Sequence, residues 1–326
     1  MPKHLWEVEQ NVISRDLRGK YVMLYGKAKA GKTTAACSFP GAILFAFERG
    51  YNAIGSAFPY DITSWSDYKF ALRDLADART KERFQTVIID TVSIAWDLCE
   101  QYVCNQYSVQ KIGDISWGGG YAACKKEFET CLRKITQLGY GVVLIAHNTS
   151  RIEKDASGSE REIIGPDLPK RAAEICNGIV DIIGYIGSEY DENGNQIRYL
   201  YTRETPTLFA GSRFKYMPPK IKFGYDELVN AIAEAIEKEE QIDGAKVVDH
   251  APIVTQKEEI DFNKIRSEAQ ELWTKLIGMD EENANIILKK VEMTMNHKMK
   301  LSEFTEDQAE LLSIVVQDMK DMLDEK

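Results

Sequence analysis

The chain of 326 residues carries 51 acidic and 41 basic side chains, a formal charge of −10, with 44% hydrophobic and 28% charged residues. This length and apolar content suit one large α/β domain plus a smaller one. The negative balance excludes a protein that coats nucleic acid through bulk positive charge and leaves room only for a local basic strip. The six cysteines form no CxxC pair and no Cys/His spacing of a zinc site. Cys99/Cys104 and Cys124/Cys131 fall in helical apolar stretches and read as core thiols of a reducing compartment. "MPKHLWEVEQ" has no continuous apolar run and no segment approaches transmembrane length. Neither a signal peptide nor a membrane span is therefore expected, and the expected location is the cytoplasm.

In chain order, short apolar runs alternate with helical stretches. "YVMLYG" (21–26), "AILFAFE" (42–48), "TVIIDT" (86–91), "GVVLIAH" (141–147) and "IVDIIGYIG" (179–187) read as strands. Residues 32–38, 66–79, 91–107 and 121–138 read as helices between them. Near-continuous apolar strands separated by helices predict a mostly parallel sheet covered on both faces. "SEYDENGNQIRYLYT" breaks the pattern, and its Asn193-Gly194 signals a hairpin. The core, residues 1–238, ends with the amphipathic "YDELVNAIAEAIEKEE". Residues 239–257 read as a linker, and 258–326 as a small all-α domain. There Phe262, Ile265, Ala269, Leu272 and Leu276 follow helical spacing, as do Leu312, Val315, Val316, Met319 and Leu323. Thr305 and Gln308 are spaced as a capping box at the start of the last helix. Residues 258–326 hold 17 acidic and 9 basic side chains, so −8 of the charge lies there and only −2 on the remainder.

Gly26-Lys27-Ala28-Lys29-Ala30-Gly31-Lys32-Thr33 fits G-x-x-x-x-G-K-[ST] at every position, after a strand and opening a helix. The glycines let backbone N–H groups, through Thr34, turn toward phosphate oxygens. Lys32 brings charge to the β/γ-phosphates, and Thr33 a hydroxyl to Mg²⁺. The pattern predicts binding of ATP with magnesium; a GTPase is disfavoured because "HNTSR" is not the N-K-x-D base reader. A P-loop needs a second carboxylate for the metal at a neighbouring strand's end. Asp90, closing "FQTVIID", fits, with a helix-capping role as its rival. No Glu follows Asp90; a carboxylate instead closes the second strand, Glu48, which suits water activation unless it only pairs with Arg49. His147 closes the fourth strand as a candidate γ-phosphate sensor, or as an ordinary strand-end histidine.

The P-loop, Glu48, "VIIDT", "LIAHNTSR" and "WGGGYAACKKEFETCLRKI" together resemble the phage-encoded RecA-like ATPases with a shortened core. That group includes Sak-type single-strand annealing proteins and related AAA-labelled phage nucleotide-binding proteins. The resemblance covers about residues 18–235. It implies a RecA-like P-loop NTPase core in which the second strand lies beside the P-loop strand and Glu48 polarises the attacking water. It also implies a DNA-stimulated ATPase that binds single-stranded DNA and promotes annealing or strand exchange. A homo-oligomeric ring or filament and a single-strand-binding protein recruited through the acidic tail are the partners it suggests. The loop 148–170, expected to be mobile without ligand, would meet DNA phosphates through Arg151, Lys154, Arg161 and Lys170, although Glu153, Asp155, Glu160, Glu162 and Asp167 outnumber these. The stretch 203–224 is basic and aromatic. Its Arg213 and Lys215 are candidates for reaching a neighbouring subunit's γ-phosphate; alternatively Arg203 and its neighbours hold a single strand, or the stretch is a solvated edge hairpin. A phosphotransferase lacks an Arg-rich lid here. A nucleotide-dependent switch or loading factor acting on a protein in phage DNA replication remains the alternative, favoured by the charge.

Overall fold

The computed structural model of the chain describes Val8, residues 10–154, Gly158, residues 160–250 and residues 261–324. Most of the N-terminal decapeptide, Asp155 and residues 251–260, which include the end of the expected linker, lie outside these. In order, the elements are β1 (Val12–Ser14), β2 (Tyr21–Gly26), α1 (Lys32–Ala36), β3 (Ala42–Ala46), β4 (Pro59–Asp61), α2 (Trp65–Asp74) and α3 (Ala78–Arg83). β5 (Thr86–Asp90), α4 (Val92–Gln106), α5 (Gly119–Gln137), β6 (Gly141–Ala146), β7 (Asn148–Lys154), β8 (Glu160–Pro166) and α6 (Lys170–Ile179) follow. Then come β9 (Ile182–Tyr190), β10 (Gln196–Tyr201), β11 (Gly211–Ser212), β12 (Lys220–Lys222), α7 (Tyr225–Asp243) and β13 (Lys246–Val248). The last are α8 (Phe262–Met279), α9 (Asn283–Met295) and α10 (Ala309–Asp324).

The main sheet runs β12-β10-β9-β2-β6-β5-β3-β4, with β11 also against β9. The six strands from β9 to β4 are parallel, and β10, β11 and β12 are antiparallel additions at one edge. Period-two alternation divides the apolar content between the two faces. Tyr21, Met23 and Tyr25 of β2 join Phe45, Ile89 and Leu144 under α2, α4, α5 and α6. Val22 and Leu24 join Leu44, Ile88 and Ile145 under α1 and α7. The result is a mixed α/β fold with a central, mostly parallel sheet flanked by helices.

One placement differs from expectation. β3 pairs with β5 and β4, and β6 and β5 stand between it and the P-loop strand β2. Every residue of β5 and β6 is buried, whereas β4 is largely exposed. Strands apolar on both faces take the centre, and the second strand is displaced outward.

Three further boundaries moved. The helix expected over 66–79 breaks after Leu75, because the Asp77 side chain accepts from the Arg79 N–H and caps a second helix. The segment 148–166, expected as a mobile loop, is an antiparallel hairpin of β7 and β8, registered from Asn148↔Pro166 to Lys154↔Glu160. Part of the expected linker is structured: α7 continues to Asp243, and β13 pairs in parallel with β1. All six cysteines are buried and free.

The chain divides into two compact units, Met1–Val254 and Thr255–Lys326. In the second, α8, α9 and α10 enclose Ala269, Leu276, Ile287, Val291, Leu312, Val315, Val316 and Met319. Gln308 Oε1 accepts from the Thr305 N–H at 3.1 Å, one arm of the expected capping box, in a 3-10 turn that leads into α10. No helix among the described residues is long and apolar enough to cross a membrane.

Candidate nucleotide site

Parallel register brings the C-terminal ends of β2, β6, β5 and β3 to one edge of the sheet, where α/β sheets bind ligands. The loop 26–33, Glu48, Asp90 and His147 all emerge there. Gly31 adopts a left-handed conformation (φ 89°), which only glycine takes without strain. At Gly26 the Ile186 carbonyl oxygen of β9 would lie 2.9 Å from any added Cβ. The loop curls over the Lys32 ammonium, which donates to the Gly26 and Lys27 carbonyls, both at 2.9 Å. Burial pulls the Lys32 pKa down, against the attraction of Asp90 and Glu48.

The Thr33 hydroxyl donates to Asp90 Oδ2 at 2.7 Å. Asp90 is buried, and desolvation pushes its pKa up; the Thr33 hydrogen bond opposes this and the Glu48 charge adds to it. Its side chain does not cap α4, whose N-cap is Thr91, so the rival role is not taken. Phe47 and Glu48 both donate backbone N–H bonds to the Asp90 carbonyl, at 2.8 and 3.2 Å, which pins Glu48 beside Asp90 just beyond β3. Glu48 therefore reaches the site from a strand three positions from β2. Arg49 pairs with Asp61 instead of Glu48, at 3.6 Å. Glu48 Oε1 faces His147 Nε2 at 3.8 Å, an ion-pair separation longer than a hydrogen bond.

Asp90 and Thr33 form a hard oxygen set beside a loop shaped for phosphate. They fit magnesium, which takes one or two protein oxygens and completes its shell with phosphates and water.

Residues 18–214 match a family described as an AAA domain. The chain belongs to the AAA domain family. It is also similar to the SPbeta prophage-derived uncharacterized protein YorG of Bacillus subtilis (strain 168), at 29% identity over 332 residues, covering 98% of this chain and 99% of the relative. Membership makes the first unit an ATPase-type domain that uses nucleotide.

In this AAA domain several expected residues stand elsewhere. Arg213 and Lys215 do not reach their own chain's P-loop. The Arg213 N–H donates to the Asp181 carbonyl, beside the start of β9 and β2, so it lies at the opposite end of the sheet. Its guanidinium pairs with Asp181 at 3.2 Å, and Lys215 pairs with Asp243 at 2.9 Å. Arg203 is spent on the Phe214 and Lys215 carbonyls, at 3.2 and 2.6 Å, and acts as a staple. Arg151 donates to the Leu168 carbonyl at 2.9 Å, and Lys154 pairs with Glu160 at 3.5 Å. Arg161 stands across the hairpin from Glu153. Lys170 opens α6 and is exposed.

Two neighbours of the P-loop escaped the sequence reading. A Cβ built on Gly31 would lie 2.8 Å from an Arg198 guanidinium nitrogen and 3.7 Å from the Phe223 ring. The signal was only the alternation in "IRYLY", where Arg198 shares a face with Leu200.

Proposed function

We propose that this AAA domain hydrolyses ATP with magnesium and couples the cycle to single-stranded DNA in phage recombination, promoting annealing or strand exchange. The observation that carries the hydrolytic reading is the convergence of Lys32, Thr33–Asp90 and Glu48–His147 at one sheet edge. Lys32 exchanges the Gly26 and Lys27 carbonyls for β/γ-phosphate oxygens. Thr33 and Asp90 would hold the magnesium ion, which would neutralise charge on the phosphates. Glu48 accepts a hydrogen bond from the attacking water. As the water oxygen bonds to the γ-phosphorus and the bond to the β–γ bridging oxygen breaks, the proton passes to the Glu48 carboxylate. His147, facing that carboxylate, reports on it.

The coupling to DNA is supported by the hairpin β7–β8, which begins one residue after His147. The Asp167 N–H at its far end donates to the His147 carbonyl at 2.8 Å. The Tyr25 hydroxyl, on the P-loop strand, donates to Ile164 O at 3.3 Å and to Phe209 O. The hairpin thus shares hydrogen bonds with the strand that leads into the nucleotide loop and with His147. Arg151, Lys154, Arg161 and Lys170 are its candidate phosphate contacts. Trp117, fully exposed just before α5, offers a face for base stacking. The prophage origin in the relative's name agrees with a phage role. A ring or filament of copies, in which Arg213 and Lys215 act on a neighbour's γ-phosphate, and a single-strand-binding protein recruited by the acidic second unit complete the reading.

A second reading, a nucleotide-dependent switch or loading factor acting on a protein in phage DNA replication, is favoured by the hairpin's own chemistry. Glu153, Glu160 and Glu162 stand among its cations, and Ile152 is exposed. ATP hydrolysis with and without single-stranded DNA, at two salt concentrations, separates them: stimulation and salt-sensitive binding are expected, and their absence favours the second. Glu48→Gln should keep nucleotide binding while lowering turnover about 100-fold or more; undiminished turnover removes Glu48 from its role.

A further inference from the structure

The turn between β9 and β10 sends the chain back beside the P-loop, and Arg198, opposite Ser188 in that ladder, is what it delivers. Its backbone is held on both sides of the strand: within the β9 ladder on one, and on the other by the Phe223 N–H, which donates to the Arg198 carbonyl at 3.0 Å. The guanidinium lies against Gly31 so closely that a side chain at that position would collide with it. Among the described residues no carboxylate or carbonyl takes up this guanidinium. Arg15, Arg18, Arg79, Arg133 and Arg213, by contrast, each hold a carboxylate. In a chain with 51 acidic side chains, an arginine without a partner, held against the loop built for phosphate, has an evident complement. Its planar fork matches two phosphate oxygens at once, which the Lys32 ammonium does not do.

We propose that Arg198 binds the phosphate chain of the nucleotide held by the P-loop of the same molecule, as a second cation beside Gly31 in addition to Lys32. This rests on reading residues 26–33 as a nucleotide site. It adds a contact from the antiparallel edge of the sheet, and it makes the β9–β10 hairpin part of the binding apparatus.

The test uses the full chain, titrated calorimetrically with Mg-ATP and with Mg-ADP, as wild type, Lys32→Ala, Arg198→Ala and Arg198→Gln. Thermal unfolding without nucleotide is followed in parallel. Arg198→Ala and Arg198→Gln should each weaken both nucleotides roughly tenfold or more. The loss should shrink at high salt, and the nucleotide-free unfolding temperature should hold, since no described hydrogen bond or ion pair of the guanidinium is removed. If the wild type binds neither nucleotide, the P-loop reading fails and the proposal with it. If Lys32→Ala loses binding while both Arg198 variants stay within about twofold of wild type, Arg198 alone is wrong. Should Arg198→Ala not fold, Arg198→Gln, which keeps length and removes charge, decides by the same criterion. Mixing Arg198→Ala with Lys32→Ala should restore no ATP hydrolysis; recovery would show the arginine acting on a neighbour's nucleotide and overturn the same-molecule assignment.

Discussion

At Asp90 burial works against ionisation, and the two states of the protein answer differently to pH. Its folded pKa lies above the ordinary carboxylate value, so the unfolded chain releases this proton first. The protonated carboxyl costs the fold little at low pH. The penalty appears as pH rises through the folded pKa and is complete above it. Asp90→Asn should therefore unfold at a higher temperature than wild type in metal-free protein at neutral pH, with the gap closing toward about pH 4. It should also lose magnesium-dependent hydrolysis. Melting both proteins across that pH range checks the sign, and a gap that widens on acidification contradicts it. Tyr68 poses a simpler case. It is packed among Phe45, Phe47 and Trp65, and its buried hydroxyl finds no partner among the described residues. Tyr68→Phe should raise stability by about 1 kcal/mol in denaturant unfolding, and a loss would reveal a partner for the hydroxyl. The placement of Lys32 and Thr33 was legible from the G-x-x-x-x-G-K-[ST] spacing that opens α1, and that of Asp90 from the strand end it closes. Arg198 was not, because its role comes from which strand folds back beside the P-loop, and a two-residue alternation does not carry that.

Among the elements, the strands were read closely because apolar β-branched runs bounded by turn residues leave little choice; β2 matches at both ends. Their lateral order was harder. Only the uniform burial of β5 and β6, a property of the assembled sheet, sets β3 outside them. The segment 148–166 misled for the opposite reason. Its charged, Gly/Ser-bearing sequence reads as solvated loop, yet its backbone groups pair within the hairpin and need no apolar face. The turn before α5 shows a related economy. Trp117 sits there with positive φ, its indole wholly in solvent. Because α5 ends where β6 begins, at the N-terminal edge of the sheet, its start lies at the same edge as the nucleotide loop and the hairpin. Trp117→Ala should leave unfolding within about 0.5 kcal/mol of wild type while weakening single-stranded DNA binding roughly tenfold. Unchanged affinity in a fluorescence titration removes the stacking role.

On the scale of the whole molecule, charge and fold divide together. The first unit is close to neutral, and residues 258–326 carry −8. If the first unit binds single-stranded DNA as proposed, an acid-rich unit tethered to it would repel phosphate over roughly a Debye length, about 8 Å at physiological salt. A chain ending at residue 257 should bind single-stranded DNA roughly threefold tighter than the full chain at low salt, with the difference fading as salt rises. Equal affinities at low salt would mean that the tail's charge does not reach the site. Composition marks the acidic stretch, but not the strand β13 inside residues 239–257, which takes its place only by pairing with β1, some 230 residues earlier in the chain. The two margins of the main sheet have their own bearing on how copies meet. One is Pro59-Tyr60-Asp61 and the other Lys220-Ile221-Lys222, each three residues long, the first lacking an N–H at its proline and both carrying charge. Short, charged strands of this kind make poor templates for another chain's backbone. The margins of the main sheet thus offer another copy of this protein little backbone to pair with.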